Sequence, residues 1–336
     1  MTVAVIGGGL AGSLLALDLR RCGLPVDLFD AAPACAGATA LSYGAVAAWA
    51  APPTPLGRLM RQAPRRWVEL QRRAGPVGWR RRCMRVHGEG KLRWLEGLPL
   101  PCGQVEAARF APALGALLER EGVVCRRERV QRIEQQGDQW RLEVQGGGHH
   151  PAAAAVLAAG AYGREIWPAF SDSLWVSWAG VIELERWPAS YRRGQLVLPG
   201  RFERLGLERS AAQLEQERWV VDAGLVPWGA TALLGQISLV RPSPGVGQPP
   251  DPALMEQRLR EGLERFDPAL AQVPGTYRQA PVAFCTDGQP LAGAVPAAPG
   301  LWQFCGFSAA FAQVPVLAPG LAAEIAGTLP RPEPSA

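Results

Sequence analysis

The sequence predicts an α/β fold large enough for two packed cores. Three observations carry that expectation: the chain length, a strand–glycine turn–helix start, and a later series of short apolar runs separated by turn residues. At 336 residues the chain is roughly twice the ~150 residues of an average domain, which excludes a single small module. Hydrophobic residues make up 48% and charged residues 19%, a balance that buries a core and excludes a disordered charged tail. Glycine and proline number 39 and 31 without the strict period of collagen, so many turns are implied. Lys91 is the sole lysine, which nearly excludes a Schiff-base mechanism.

The first element is the apolar, mostly β-branched run Val3 to Ile6. Gly7, Gly8, Gly9, Leu10, Ala11 and Gly12 follow at once, and then the helical spacing of Leu14, Leu15, Leu17 and Leu19. Strand, glycine turn and helix in this order form the dinucleotide-binding fingerprint of a Rossmann-type unit. Gly7 makes the tight turn, Gly9 lets a pyrophosphate approach the backbone, and Gly12 lets helix and strand pack closely. Free N–H groups at the helix start, at Leu10 and Ala11, then face the phosphates. Gly23 is a helix stop, and a second strand from Pro25 to Phe29 ends in Asp30, near the spacing expected of an acid that holds a ribose hydroxyl.

The seven cysteines, Cys22, Cys35, Cys83, Cys102, Cys125, Cys285 and Cys305, include no C-x-x-C pair. Neither a zinc site nor a disulfide framework is favoured, and a reduced, cytoplasmic setting is expected. The apolar N-terminus lacks the basic region of a signal peptide. No apolar run is expected to reach the roughly 18 to 20 residues of a membrane span, because Pro315 and Pro319 interrupt the C-terminal candidate.

The glycine fingerprint alone fits FAD or a nicotinamide equally, and later segments decide. AAPACAGATALSYGAV after Asp30, ARFAPALGALLEREGV, RVQRIEQQGDQWRLEV, AVLAAGAYG and TDGQPLAGAVPAAPGLWQFCGFSAAFAQVP succeed one another along the chain. In that order they resemble the D-amino-acid oxidase and glycine oxidase family of FAD enzymes. The resemblance implies Thr39 and Ser42 as hydroxyl donors along the pyrophosphate and ribityl chain, with Gly44 beside the flavin. It implies that Val130 meets the adenine through its backbone and that Gly160 ends a strand at the cofactor. Gly306, Ser308 and Ala309 would form the closing turn. A last helix starting near Ser308 would direct its positive end at the flavin N1 and C2 carbonyl region.

The implied fold is a Rossmann-type, discontinuous FAD-binding domain with a second α+β substrate domain built on an antiparallel sheet. Residues 1–49, 105–170 and 285–327 would form the first, 50–104 and 171–284 the second, and 328–336 a frayed tail. In the second part, VSWAGVIELE, GQLVLPGRFERLGLE, RWVVDAGLV and ALLGQISLV read as strands. Asp251 to Phe266 reads as a helix, with Asp251 as N-cap and Met255, Leu259, Leu263 and Phe266 on one face. His149 and His150 fall in an expected exposed turn, so no metal site is assigned.

The sequence departs from the family at the substrate. In the family it resembles, an arginine five residues before the Asp of the Asp-Gly-x-Pro turn holds the substrate carboxylate, whose geometry a guanidinium fork matches bidentately. Here that position is Val282. The nearest upstream arginine is Arg278, preceded by Tyr277, and these two are the catalytic candidates. Phe307, Ala309, Ala310 and Phe311 also make the closing turn bulkier than the family's.

From Arg58 to Arg93 the chain carries twelve basic residues against Glu69 and Glu89, while the remainder is net acidic. Trp67, Trp79 and Trp94 are interleaved with them. Such a stretch is either a polyanion footprint, with tRNA as the partner, or an amphipathic helix from Pro64 to Ala74 whose arginines are solvated while Trp67 and Leu70 face the core. The expected activity is oxidation of the C–N bond of a small amine or amino acid by hydride transfer to flavin N5. The alternatives are a tRNA-modifying flavoprotein of the same family and a degenerate FAD-binding homologue without amine turnover.

Overall fold

The computed structural model describes residues 2–88 and 97–329. Lys91, Arg93 and Trp94 of the basic run, and all but the first two residues of the expected tail, lie outside the described residues. Thr328 is still helical.

Val3–Ile6 is buried on both faces and sits at the centre of a six-stranded sheet. Val26–Phe29 and Val124–Arg126 flank it on one side, Ala154–Leu157 and Leu301–Cys305 on the other, all parallel, and Leu291–Ala294 closes the edge antiparallel. Alternate side chains serve two cores. Val3 and Val5 join the leucines of the helix Leu10–Arg21 and the helices Ala107–Arg120 and Ala310–Thr328. Ala4 and Ile6 face a three-stranded meander, Val130–Gln136, Gln139–Val144 and His149–Ala152, through Ile133, Trp140 and Leu142. The expected hairpin is therefore present. His149 and His150 begin its third strand rather than occupying its turn, and His150 Nε2 lies 2.7 Å from Glu128.

A second, eight-stranded sheet runs in the order Gly275–Cys285, Leu174–Leu184, Thr231–Val240, Arg218–Trp228, Leu196–Pro199, Trp79–His87, Leu100–Val105 and Ala45–Val46. It is antiparallel except where Leu196–Pro199 meets Trp79–His87. The helix Pro252–Glu264 covers one face through Met255, Leu259 and Leu263, and Asp251 caps it by accepting the Ala253 N–H at 2.9 Å. Gly262 sits inside this helix because a Cβ there would lie 2.7 Å from the Val221 side chain.

Two expectations are corrected. In GQLVLPGRFERLGLE only Leu196–Pro199 is a strand, and Arg204–Arg209 is a short helix. The carboxylate of Asp222, on another strand, accepts the N–H groups of Glu203 and Arg204 at 2.6 and 3.2 Å. The Arg204 Nη1–Glu208 pair adds an i,i+4 bond at 2.9 Å.

The second correction concerns Pro315 and Pro319, which do not interrupt the last helix. Each proline removes the N–H that would bind the carbonyl four residues earlier, here those of Phe311 and Pro315. Trp67 Nε1 donates to the Phe311 carbonyl at 2.7 Å and Arg66 Nε to the Pro315 carbonyl at 3.3 Å. Both side chains come from the helix Ala63–Ala74, in which Trp67 is fully buried against Trp79, Phe110 and Phe311. By length and composition the last helix is apolar enough to cross a membrane. Its buried residues Phe311, Val314, Ala318, Leu321, Ala322 and Ile325 belong to the core it shares with the first helix.

Candidate cofactor and substrate cavity

A cavity of about 760 Å³ opens where the carboxyl ends of the parallel strands meet the eight-stranded sheet, the place where open α/β sheets bind ligands. Of the residues expected to hold a cofactor, Gly7, Gly9, Leu10, Ala11, Asp30, Thr39, Ser42, Val130, Gly160, Gly306 and Ser308 line it. Gly12 and Gly44 stand behind the wall.

The glycines act through backbone proximity. Gly7 has φ +109°, and a Cβ on it would lie 2.4 Å from the Ala158 carbonyl oxygen. A Cβ on Gly12 would lie 1.9 Å from the carbonyl oxygen of Gly7, so only glycine lets the first helix approach the turn. Gly44, at φ +60°, is fixed in the same way by the Val105 carbonyl at 2.0 Å. Gly9 caps the first helix with no side-chain bond, which leaves first-turn N–H groups available to an anion. The Leu10 N–H is already held by Thr39 Oγ1 at 3.1 Å.

Asp30 is fixed by its own neighbourhood. Its Oδ2 accepts the Gly8 N–H at 2.6 Å and its Oδ1 the Ala32 N–H at 2.8 Å. Each carboxylate oxygen retains a lone pair that can accept from a hydroxyl in the cavity. Beyond it Glu128, Arg129 and Tyr162 line the same end, with the Arg129 guanidinium 5.7 Å from the Tyr162 ring centroid. At the far end Gly306 has φ +77°, with Cys285 Sγ 2.3 Å from where its Cβ would be. The Ala309 N–H is taken by Gln313 Oε1 at 3.0 Å and Ala309 does not line the cavity. The last helix begins at Ala310 with no hydroxyl cap, two residues after the expected start. An uncapped helix start, a glycine turn closed against neighbouring backbone, two hydroxyls and a fixed acid are the set an FAD requires, and the residues present fit it.

The two catalytic candidates do not reach the cavity. Arg278 points outward and donates to Glu183 at 2.6 Å. Tyr277 packs beside the core under the helix Pro252–Glu264, and its hydroxyl donates to Gln279 at 3.2 Å. Of this strand the cavity receives Ala280, Pro281, Val282 and Ala283 instead, further along toward Cys285. The guanidinium at this end is that of Arg204, which lines the cavity and donates through Nη2 to the Ser308 carbonyl at 2.9 Å. Sequence reasoning missed Arg204 because its segment read as strand; the Arg–x–x–x–Glu spacing to Glu208 was the available signal of a helix. Cys305 also lines the cavity, but burial and the neighbouring Cys285 push its thiol far up, which leaves it a poor nucleophile.

Much of the basic run is engaged within the fold. Arg80, Arg82 and Arg109 converge on Glu106, which is 3% exposed. Arg65 and Arg66 pair with Glu69, Arg73 pairs with Glu121, and Arg61 reaches the Ala51 carbonyl.

Fold and cavity together define a Rossmann-type dinucleotide-binding architecture of a six-stranded, an eight-stranded and a three-stranded sheet. A family model described as FAD dependent oxidoreductase (DAO) matches residues 2–99 and 86–324, and the chain belongs to that family. The solved structures it is similar to include glycine oxidase from Geobacillus kaustophilus, at 19% identity, with 97% of this chain and 94% of that chain covered and a TM-score of 0.73. Glycine oxidase from Bacillus cereus ATCC 14579 is 14% identical over 98% and 96% with a TM-score of 0.74. Iminodiacetate oxidase from Chelativorans sp. BNC1 is 17% identical over 99% and 97% with a TM-score of 0.67. No curated protein sequence is a significant match.

Proposed function

We propose that the protein oxidises the C–N bond of a small amine or amino acid. The bound FAD would supply the chemistry, accepting at N5 the hydride that leaves the amine's α-carbon, and water would then convert the imine to a carbonyl compound and a free amine. The reading rests on one observation: a single cavity runs from the Asp30 end to the Val282 and Arg204 end, so cofactor and substrate can share it. The names of the similar structures, oxidases of glycine and iminodiacetate, agree with this substrate class.

The chain's own residues have four tasks. The first-helix N–H groups and Asp30 hold the dinucleotide, and Thr39 and Ser42 border its middle. The start of the last helix at Ala310 brings a positive dipole end to the cavity wall. Phe304, Phe307 and Phe311 exclude water, and the bulk of the closing turn is packed, with Phe307 4.8 Å edge-on to Phe304. The apolar sheet floor at Ala280 and Val282 then positions the α-carbon. In this reading residues 1–49, 105–170 and 285–327 hold the cofactor and 50–104 and 171–284 cover the substrate.

Turnover on glycine, sarcosine, D-amino acids and L-proline with oxygen or a dye as acceptor tests the proposal. Equal amounts of carbonyl product and reduced acceptor are expected with at least one amine. A flavin-loaded protein that turns over none of them would overturn it.

A further inference from the structure

The substrate end of the cavity is an apolar floor of Ala179, Val181, Ala280 and Val282, with two long polar side chains among the described lining residues there, Arg204 and Gln236. The short helix bearing Arg204 packs on the strands that carry Val282 and Gln236. A guanidinium in such a wall costs desolvation, and its side chain is 17% exposed. The structure holds it in place from three directions. Nη2 donates to the Ser308 carbonyl and Nη1 to Glu208, both at 2.9 Å, and the Arg204 N–H is anchored on Asp222. Its Nε is enclosed with no partner. Of five guanidinium donors, the structure engages one on each Nη, so each Nη keeps a second N–H.

Resting on the amine-oxidation reading, we propose that Arg204 is the specificity-determining residue of this enzyme: it binds the anionic group of the substrate from the short helix, opposite the floor at Val282. The fork is held rigid before the ligand arrives, which lowers the entropic cost of binding. Tyr277 and Arg278 have no part in it, since one is packed behind the sheet and the other faces outward on Glu183. Gln236 lies on the floor with its amide 3.4 Å from Ser238 Oγ and is the second polar contact available to the same ligand.

The test uses the FAD-loaded protein and a pair of unreactive probes of one shape, phenylacetate and phenylacetamide, titrated while the flavin absorption is followed. The acid should bind roughly 10- to 100-fold tighter than the amide, the ratio expected of hydrogen bonds to a charged group. In Arg204→Met this ratio should collapse to about one, and Arg204→Lys should restore part of it, while both variants keep the FAD spectrum. Arg278→Met should leave it unchanged. Acid and amide that bind wild type equally, an acid that does not perturb the flavin, or a preference that survives Arg204→Met would overturn the assignment. Amine turnover without an acid preference would remove this inference and leave the proposed function standing; an acid preference without turnover would do the reverse. A preference unchanged in Arg204→Met together with a shifted flavin potential would place the charge on the flavin edge at Ser308 instead, and would also overturn it.

Discussion

The two ends of the cavity are built from different materials. At Gly7, Gly12 and Gly44 the constraint comes from backbone: the carbonyls of Ala158, Gly7 and Val105 leave no room for a Cβ. Around Arg204, Gln236 and Val282 the wall is side chain, brought together from three elements far apart in sequence. At Gly7, Gly12 and Gly44 an added Cβ would meet a backbone atom at 2.4 Å or less, a constraint that does not bear on the side chains of the substrate end.

The sharpest way to break this contrast is Gly12→Val. Its Cβ would sit 1.9 Å from the Gly7 carbonyl oxygen, a backbone atom with nowhere to move. The expected result is complete loss of copurifying FAD, seen in the visible spectrum, whereas Val282→Ala at the other end should keep its full flavin content.

Next in size is Trp67→Ala, which removes a fully buried indole and the donor to the Phe311 carbonyl. Denaturant unfolding should show a loss of about 3–5 kcal/mol. Trp67→Phe, which keeps most of the volume and loses only the donor, should cost about 1–3 kcal/mol. Equal stability in Trp67→Phe would show that the proline-freed carbonyl needs no partner.

Asp30→Ala is smaller again. It frees the Gly8 and Ala32 N–H groups and removes the hydroxyl acceptor. FAD affinity measured by fluorescence should fall about 10-fold, a single hydrogen-bonding loss, with little change in acid preference at the other end.

Smaller still is a pH dependence that includes the substrate end. Burial holds the Asp222 and Glu208 carboxyls above their usual range. A raised folded-state value means the folded protein binds more protons than the unfolded chain at pH above the ordinary carboxylate value. The contribution of these groups to stability is therefore full below about pH 4 and declines as pH rises through the raised values. Asp222→Asn should flatten the fall in melting temperature above the ordinary carboxylate range; an unchanged slope would show that Asp222 does not contribute to it.

The same contrast explains what the sequence disclosed. The strand–turn–helix start, the hairpin at Val130 and the helix after Asp251 follow from local spacing, because the residues that shape them lie within one element. The continuity of the last helix did not, because its two freed carbonyls are satisfied from Arg66 and Trp67, some 250 residues away. The helix at Arg204 was hidden for the same reason, being capped by Asp222 on a neighbouring strand. Arg278 looked suitable by sequence distance alone, yet it lies along the strand beyond the lining stretch Ala280 to Ala283, where Glu183 engages it.

The proposed function requires that electrons pass from an amine's α-carbon to FAD within this one cavity. Mixing the FAD-loaded protein without oxygen with the best amine of the panel, and with the same amine carrying deuterium at that carbon, tests it directly. The flavin band should bleach, with one amine consumed per flavin, and deuterium should slow the bleaching. A band that persists with every amine, or one that bleaches at the same rate with either isotope, would contradict it.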